Sequence, residues 1–270
     1  MAKTVFVTGA SSGIGKATVD IFQRNGWNVV ATMRSPETAT DLTEQNVLRL
    51  RLDVTESGSI QAAVEAAIAK FGSIDVLVNN AGYALIGTFE ACTPEQIQRQ
   101  FETNVFGLMN VTRAVLPGMR DRNTGTIINL SSIGGRMAFP LYSLYHATKW
   151  AVDGFSDSLQ YELEPFNIRV RIIEPGPIKT DFYSRSLDLA TQPHLTAYDA
   201  IAQKVLPNLK RIGETGSPPE VTAAVIYQAA IDPSKRLRYP AGGNASALLA
   251  LRKYLPDVLF KQIVRYAMLR

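Results

Sequence analysis

At 270 residues the chain is long enough for one large α/β domain or two small ones, and 46% hydrophobic against 19% charged content supports a sizeable core and excludes a disordered chain. No run approaches the roughly 18 apolar residues that cross a bilayer, which excludes a membrane-spanning protein. The formal charge of +4 resides in the last 19 residues, where Arg252, Lys253, Lys261, Arg265 and Arg270 oppose Asp257; the rest is neutral, which argues against nucleic acid as a partner.

From the start of the chain an apolar strand-like run follows Met1 without a signal-peptide pattern, and the single cysteine, Cys92, has no internal disulfide partner. Both point to a reducing, cytoplasmic setting. Strand-like runs at 4–8, 28–32, 47–52, 76–78, 126–130 and 169–173 alternate with helical patterns. Buried parallel strands with crossover helices read this way. The expected fold is therefore α/β, a Rossmann-like doubly wound parallel sheet with helices on both faces, in a single domain over 1–270. Thr93, Pro94 and Gln96 have the spacing of a capped start for a helix ending near Arg122, and 143–164 is periodic as a second long helix. The alternation breaks at 181–216, read as a variable substrate lid, and at 241–270, read as a helical tail. In that tail Leu259, Ile263 and Ala267 recur at helical spacing beside Lys261 and Arg265, a pattern that fits packing over the substrate end or peripheral contact with a membrane surface. No internal repeat or linker divides the chain.

The segment Thr8-Gly9-Ala10-Ser11-Ser12-Gly13-Ile14-Gly15 joins the first strand to the first helix. Glycines there permit close backbone approach, and the free amides and dipole of a helix start favour a pyrophosphate. A glycine turn by itself could be only a tight connection. Tyr145 and Lys149 are four apart in a helical segment and share one face, with Ser132 thirteen residues earlier at the end of the fifth strand-like run. A parallel sheet gathers such strand ends at the nucleotide cleft. An ammonium about 5 Å from a phenol would stabilise the phenolate by roughly 3 kcal/mol at an effective dielectric of about 20, bringing it toward the range of a general acid/base. Asn104 stands mid-helix, where asparagine is a mediocre helix former; a satisfied core amide is the simpler account of it.

The GxxxGxG spacing, Asp53-Val54 after the third strand, Asn79-Asn80-Ala81-Gly82 after the fourth and the Ser132, Tyr145, Lys149 set together resemble the short-chain dehydrogenase/reductase family over roughly residues 3–181. The resemblance implies that Gly9, Ser11, Ser12, Gly13, Ile14 and Gly15 hold the dinucleotide, that Asp53 and Val54 meet its adenine, and that Asn80, Ala81 and Gly82 line its cleft. It implies further that Pro175, Gly176, Ile178 and Thr180 lie near the nicotinamide. Tyr145 would move the proton, Lys149 would bind the nicotinamide ribose and acidify Tyr145, Ser132 would hold the substrate oxygen, and Asn104 would complete a relay through water to Lys149. The end of the second strand carries Arg34 where an acid would accept from a ribose 2′-hydroxyl, so NADP(H) is expected over NAD(H), although a lone arginine after a strand is often merely solvated.

Hydride exchange with a hydrophobic ketone or aldehyde and its alcohol is the activity implied, and residues 88–181 look closest to 17β-hydroxysteroid and retinol dehydrogenases. Leu85, Ile133, Met137, Phe139, Pro140, Leu141, Phe182 and Tyr183 are candidates for an apolar pocket, or for ordinary packing. His146 and His194, the only histidines, form no metal-ligand cluster, and no metal is expected. His146 is read as structural, and Tyr142, a competing phenol, lacks a lysine four residues on. A nucleotide-sensing regulator on the same fold, and an epimerase or dehydratase, remain the alternatives. Pairing of the two long helices in a homodimer or homotetramer is what the family implies.

Overall fold

The structure, a computed structural model, describes residues 2–39, 42, 44–180, 186–192 and 194–269. Among these, β1 (Thr4–Thr8), β2 (Asn28–Met33), β3 (Val47–Arg51), β4 (Val76–Asn79), β6 (Gly125–Leu130), β7 (Ile168–Pro175) and β9 (Arg238–Ala241) form a seven-stranded parallel sheet in the order β3-β2-β1-β4-β6-β7-β9. Two short strands, β5 (Ala84–Gly87) and β8 (Leu187–Ala190), pair in parallel apart from it.

Side chains alternate along each strand, which divides the core into two layers. Val5 and Val7 face α1 (Gly13–Arg24) and α7 (Pro219–Ile231), meeting Val19, Phe22, Ile226 and Ala229. Phe6 points the other way, toward α2 (Ser57–Phe71), α4 (Leu108–Asp121) and α5 (Ser143–Leu163), where Ile60, Val64, Val111, Val115 and Leu159 fill the layer. This is the doubly wound single-domain sheet expected from the run of apolar strands.

The long helix expected up to Arg122 exists but is not uniform. Its start, α3 (Pro94–Phe101), carries the capping box: Thr93 Oγ1 accepts from the Gln96 N–H at 3.2 Å and Gln96 Oε1 accepts from the Thr93 N–H at 3.1 Å. Residues Glu102–Gly107 then form a π turn before α4. Such a turn inserts one extra residue and rotates the side chains within it. Gly107 lies against Val54 so closely that a Cβ there would sit 2.6 Å from Val54 Cγ2.

Three strands lie beyond the sequence expectation. β5 and β8 are four residues each and lack a long apolar run, and β9 contains Pro240, which an edge strand bonded on one side tolerates. The expected lid region holds β8 and α6 (Asp199–Thr215); its residues 181–185 and 193 are outside the described ones. The tail is helical as α8 (Ala245–Tyr254) and α9 (Asp257–Leu269), with Phe260 and Met268 buried and Val258, Leu259, Ile263 and Tyr266 exposed.

Candidate active site

The chain builds β1, β2 and β3 outward in one direction and then returns to place β4 on the other side of β1. The carboxyl ends of β1 and β4 therefore border a crevice, the position at which doubly wound sheets bind ligands. A cleft of about 1130 Å³ opens there, walled by the glycine turn, the ends of β2, β4, β6 and β7, and the start of α5.

At the β1–α1 turn, Gly9 takes φ +66°, a backbone conformation that favours glycine. Asn80, just past β4, donates through Nδ2 to the Thr8 and Gly9 carbonyls at 2.9 and 3.0 Å, and Thr8 Oγ1 accepts from the Asn80 and Ala81 amides at 3.0 Å each. A Cβ on Gly15 would lie 2.1 Å from the Gly9 oxygen and 2.6 Å from Asn80 Nδ2. The turn is thus a cradle held shut by the Asn80 and Thr8 side chains on main-chain atoms, and it leaves the Ser11, Ser12, Gly13 and Ile14 segment facing the cleft at the amino end of α1. That geometry fits a pyrophosphate.

Arg34 follows β2 and lines the cleft beside Ser35 and Asp53. Burial alone would raise the Asp53 carboxyl, but hydrogen bonds from the Thr55 amide (3.0 Å) and hydroxyl (2.7 Å), with the charges of Arg34 and Arg51, hold it below the usual range. Val54, Ala81, Gly82, Pro175, Gly176, Ile178 and Thr180 also face the cleft.

At the other end Ser132, Tyr145 and Lys149 share the same wall. Ser132 Oγ accepts from the Gly134 amide at 3.0 Å, which directs its own proton elsewhere. Lys149 Nζ donates to the Leu130 carbonyl at 2.8 Å and lies 5.7 Å from the Tyr145 ring centre. Burial pushes this lysine down to about 8, against the pull of the Asp153 carboxylate. The ammonium is thus on the same side of α5 as the phenol.

Two of the expected site residues do not line the cleft. Gly15 stands behind the turn, where its missing side chain makes room. Asn104 lies in the π turn: its Oδ1 accepts from the Tyr83 amide at 3.1 Å, and its Nδ2 reaches the Tyr83 carbonyl at 2.9 Å and Thr148 Oγ1 at 3.2 Å. Thr148 in turn donates to the Tyr145 carbonyl at 2.7 Å. Asn104 thus braces the backbone on which Tyr83 and Tyr145 are carried.

His146 is buried, and burial pushes its pKa down to about 4. The neutral ring stacks on Tyr142 at 5.1 Å and accepts through Nδ1 from the Phe139 amide at 3.3 Å.

Of the apolar candidates, Ile133 and Phe139 line the cleft, whereas Leu85, Met137, Pro140 and Leu141 are not among its lining. Leu85 and Met137 are spent on packing, Leu85 with Ala91 and Leu144, Met137 with Ala245 and Phe260. Phe182 and Tyr183 lie outside the described residues. Tyr142, Leu187, Ile212, Leu248 and Met268 complete the wall instead, none of them singled out as substrate contacts by the sequence. On α9 the inward side chains are Phe260 and Met268, one residue on from the Leu259, Ile263 and Ala267 face that the sequence periodicity suggested, which is exposed. Among the described residues no group of His, Cys, Asp and Glu could hold a metal ion, and no helix is long and apolar enough to cross a membrane.

Comparison with known proteins agrees with this architecture. The short chain dehydrogenase family model matches residues 3–188. An uncharacterized oxidoreductase of Schizosaccharomyces pombe is 44% identical, covering 84% of this chain and 96% of its own. A 3-ketodihydrosphingosine reductase of Bacteroides thetaiotaomicron is 35% identical over 97% and 96% of the two chains. Among solved structures, a short-chain dehydrogenase of Streptomyces avermitilis superposes with TM-score 0.85 at 35% identity, covering 98% of this chain and 96% of that one. ElxO with NADP bound gives 0.74 at 26% identity (92% and 100% covered), and a Brucella melitensis 3-ketoacyl-(acyl-carrier-protein) reductase complexed with NADH gives 0.74 at 27% (90% and 98%). With a family model spanning more than half of the chain and relatives this similar over nearly their whole length, the protein is an oxidoreductase of the short-chain dehydrogenase family.

Proposed function

We propose that the protein is an NADP(H)-dependent reductase that interconverts a hydrophobic ketone or aldehyde and its alcohol, with Tyr145 as general acid/base. The observation that carries this reading is the single cleft that joins a glycine cradle and Arg34 at one end to Ser132, Tyr145 and Lys149 against an apolar wall at the other. Among the relatives, the 3-ketodihydrosphingosine reductase is named for a ketone substrate, which supports the same reaction class here.

The dinucleotide would be held by Gly9, Ser11, Ser12, Gly13 and Ile14 at its pyrophosphate, with Gly15 behind them making room, by Asp53 and Val54 at its adenine, by Arg34 at a 2′-phosphate, and by Asn80, Ala81, Gly82, Pro175, Gly176, Ile178 and Thr180 toward its nicotinamide. When bound, the cofactor supplies or accepts the hydride. Bound relatives carry NADP in one case and NADH in another. Arg34, with no carboxylate of its own strand end beside it, favours the phosphorylated form through charge-assisted contacts.

The chain's own residues handle the oxygen and its proton. Ser132, one lone pair of its hydroxyl taken by the Gly134 amide, donates to the substrate oxygen. Tyr145 gives its hydroxyl proton to that oxygen during reduction and takes it back during oxidation. One N–H of Lys149 is fixed by the Leu130 carbonyl; the ammonium stabilises the Tyr145 phenolate and has further N–H groups for a ribose. Asn104 keeps the π turn and α5 in register, and through water it completes the relay to Lys149.

A free Cys92 suits a reducing cytoplasm, and exposed Phe106 and Trp150 on the two long helices suit pairing of subunits. The test of the reading is Tyr145→Phe. It should lower turnover by about 10²–10⁴-fold while NADPH still binds, and substantial residual activity would move the proton role to another group.

A further inference from the structure

Behind the catalytic wall lies a charge cluster, buried at Asp153 and Glu174 and open to solvent at Arg136 and Asp157, that the reaction scheme above does not use. Asp153 follows Lys149 by four residues on α5 and is only 5% exposed. Its Oδ1 accepts from the Ser131 hydroxyl, which also lies 3.5 Å from the Lys149 carbonyl. Its Oδ2 accepts from Arg238 on β9. Arg238 bonds in addition to Glu174 on β7 at 3.2 Å and to Asp157 on α5 at 3.2 Å, and Arg136 reaches the same Glu174 at 3.4 Å. The fit is tight, since a Cβ on Gly135 would lie 2.5 Å from Ser131 Oγ and 2.7 Å from Asp153 Oδ1.

On the reading that Tyr145 and Lys149 carry the proton step, we infer that Asp153 is a positioning residue for it: braced by Ser131 and Arg238, it holds the helical turn of Lys149 and keeps that lysine's ammonium charged beside Tyr145. Ser131 links the carboxylate both to the backbone of Lys149 and, as the neighbour of Ser132, to the strand end that faces the substrate. A buried ammonium is costly without a compensating anion. Asp153 is the carboxylate acting on Lys149 against its burial. The other groups around the pair are the Tyr145 phenol and the neutral His146 on α5, Arg136 and Glu174 on the sheet side, and Arg238 with Asp157, which neutralise one another.

The test reads the lysine directly and needs no substrate. In protein labelled with ¹³Cε-lysine, the Lys149 resonance, assigned through Lys149→Arg, should titrate with a midpoint of about 8. Asp153→Asn should lower that midpoint by about one pH unit, a tenfold change in the ratio of charged to neutral lysine; Asp153→Glu should restore it, and Glu174→Gln should leave it in place. If Asp153→Asn does not fold, Asp153→Ser, a smaller neutral replacement that leaves Arg238 paired with Glu174 and Asp157, should lower the midpoint likewise. An unchanged midpoint in a folded Asp153→Asn or Asp153→Ser variant overturns the inference, as does an equal shift in Glu174→Gln. Failure of Tyr145→Phe to lose turnover would instead overturn the assignment of the proton step while leaving this titration intact.

Discussion

At the nucleotide end of the cleft, main-chain atoms from two short stretches are locked together by two polar side chains: Asn80 Nδ2 donates to the Thr8 and Gly9 carbonyls, and Thr8 Oγ1 accepts from the amides after β4. At the substrate end the wall is made of side chains, Phe139 and Tyr142 before α5, Ile212 on α6, Leu248 on α8 and Met268 on α9, brought from distant parts of the chain. The first end presents amides and leaves little room for change, whereas the second presents apolar surface whose shape depends on which side chain each helix delivers. A common chemistry can thus be kept at one end while specificity is set at the other.

Changes at the rigid end should have the largest effects on cofactor affinity. Gly15→Ala forces a Cβ into the Gly9 carbonyl, so NADPH affinity measured by fluorescence titration should fall at least about a hundredfold, about 3 kcal/mol. A smaller loss would mean that the turn yields more readily than its contacts indicate.

The substrate end should carry an acid-labile element. Folding holds His146 at about 4, below its ordinary 6.5, so the unfolded chain binds the extra proton first. The stabilisation from keeping His146 neutral is complete above about 6.5 and is lost as the pH falls toward 4, by at most about 3 kcal/mol. Urea unfolding at pH 7 and pH 4.5 should show this loss in the wild type and a smaller one in His146→Leu. Equal losses would place the sensitivity elsewhere.

Arg34→Asp should reverse cofactor preference by about 10–100-fold, the size of one or two charge-assisted hydrogen bonds. Ratios of kcat/KM with NADPH and NADH check this, and an unchanged ratio removes Arg34 from the phosphate site. Smaller again, Leu248→Ala or Met268→Ala should raise KM for a bulky apolar carbonyl by about tenfold while NADPH affinity holds, in line with about 1–3 kcal/mol for pocket methylenes. If either variant weakens NADPH equally, the two ends are not separable.

The sequence was informative where function depends on short-range order. The glycine turn, the Tyr145 and Lys149 spacing and six of the strand-like runs each announce themselves within a dozen residues, and the structure brings their ends to one cleft. Asn104 was visible as an anomaly, a poor helix former inside a helical run. Its partners, Tyr83 and Thr148, depend on a π turn that periodicity does not reveal. The apolar wall was only partly legible, because Leu85 and Met137 look the same in sequence as Leu248 and Met268, and only long-range packing decides which of them faces the cleft. β9 was hidden by Pro240, and β8 by its brevity and by Asp188, which is held by Arg99 and Gln96 from α3. The +4 charge likewise acquires a place: α9 turns Phe260 and Met268 inward and leaves Lys261 and Arg265 outside.

Consumption of nicotinamide absorbance by the wild-type protein across a panel running from short polar to long-chain apolar ketones and aldehydes tests the account most directly. The predicted result is NADPH oxidation that rises with the apolar character of the carbonyl and proceeds faster with NADPH than with NADH. Tight NADPH binding with no consumption across the whole panel would contradict it and favour a nucleotide-sensing role on the same fold.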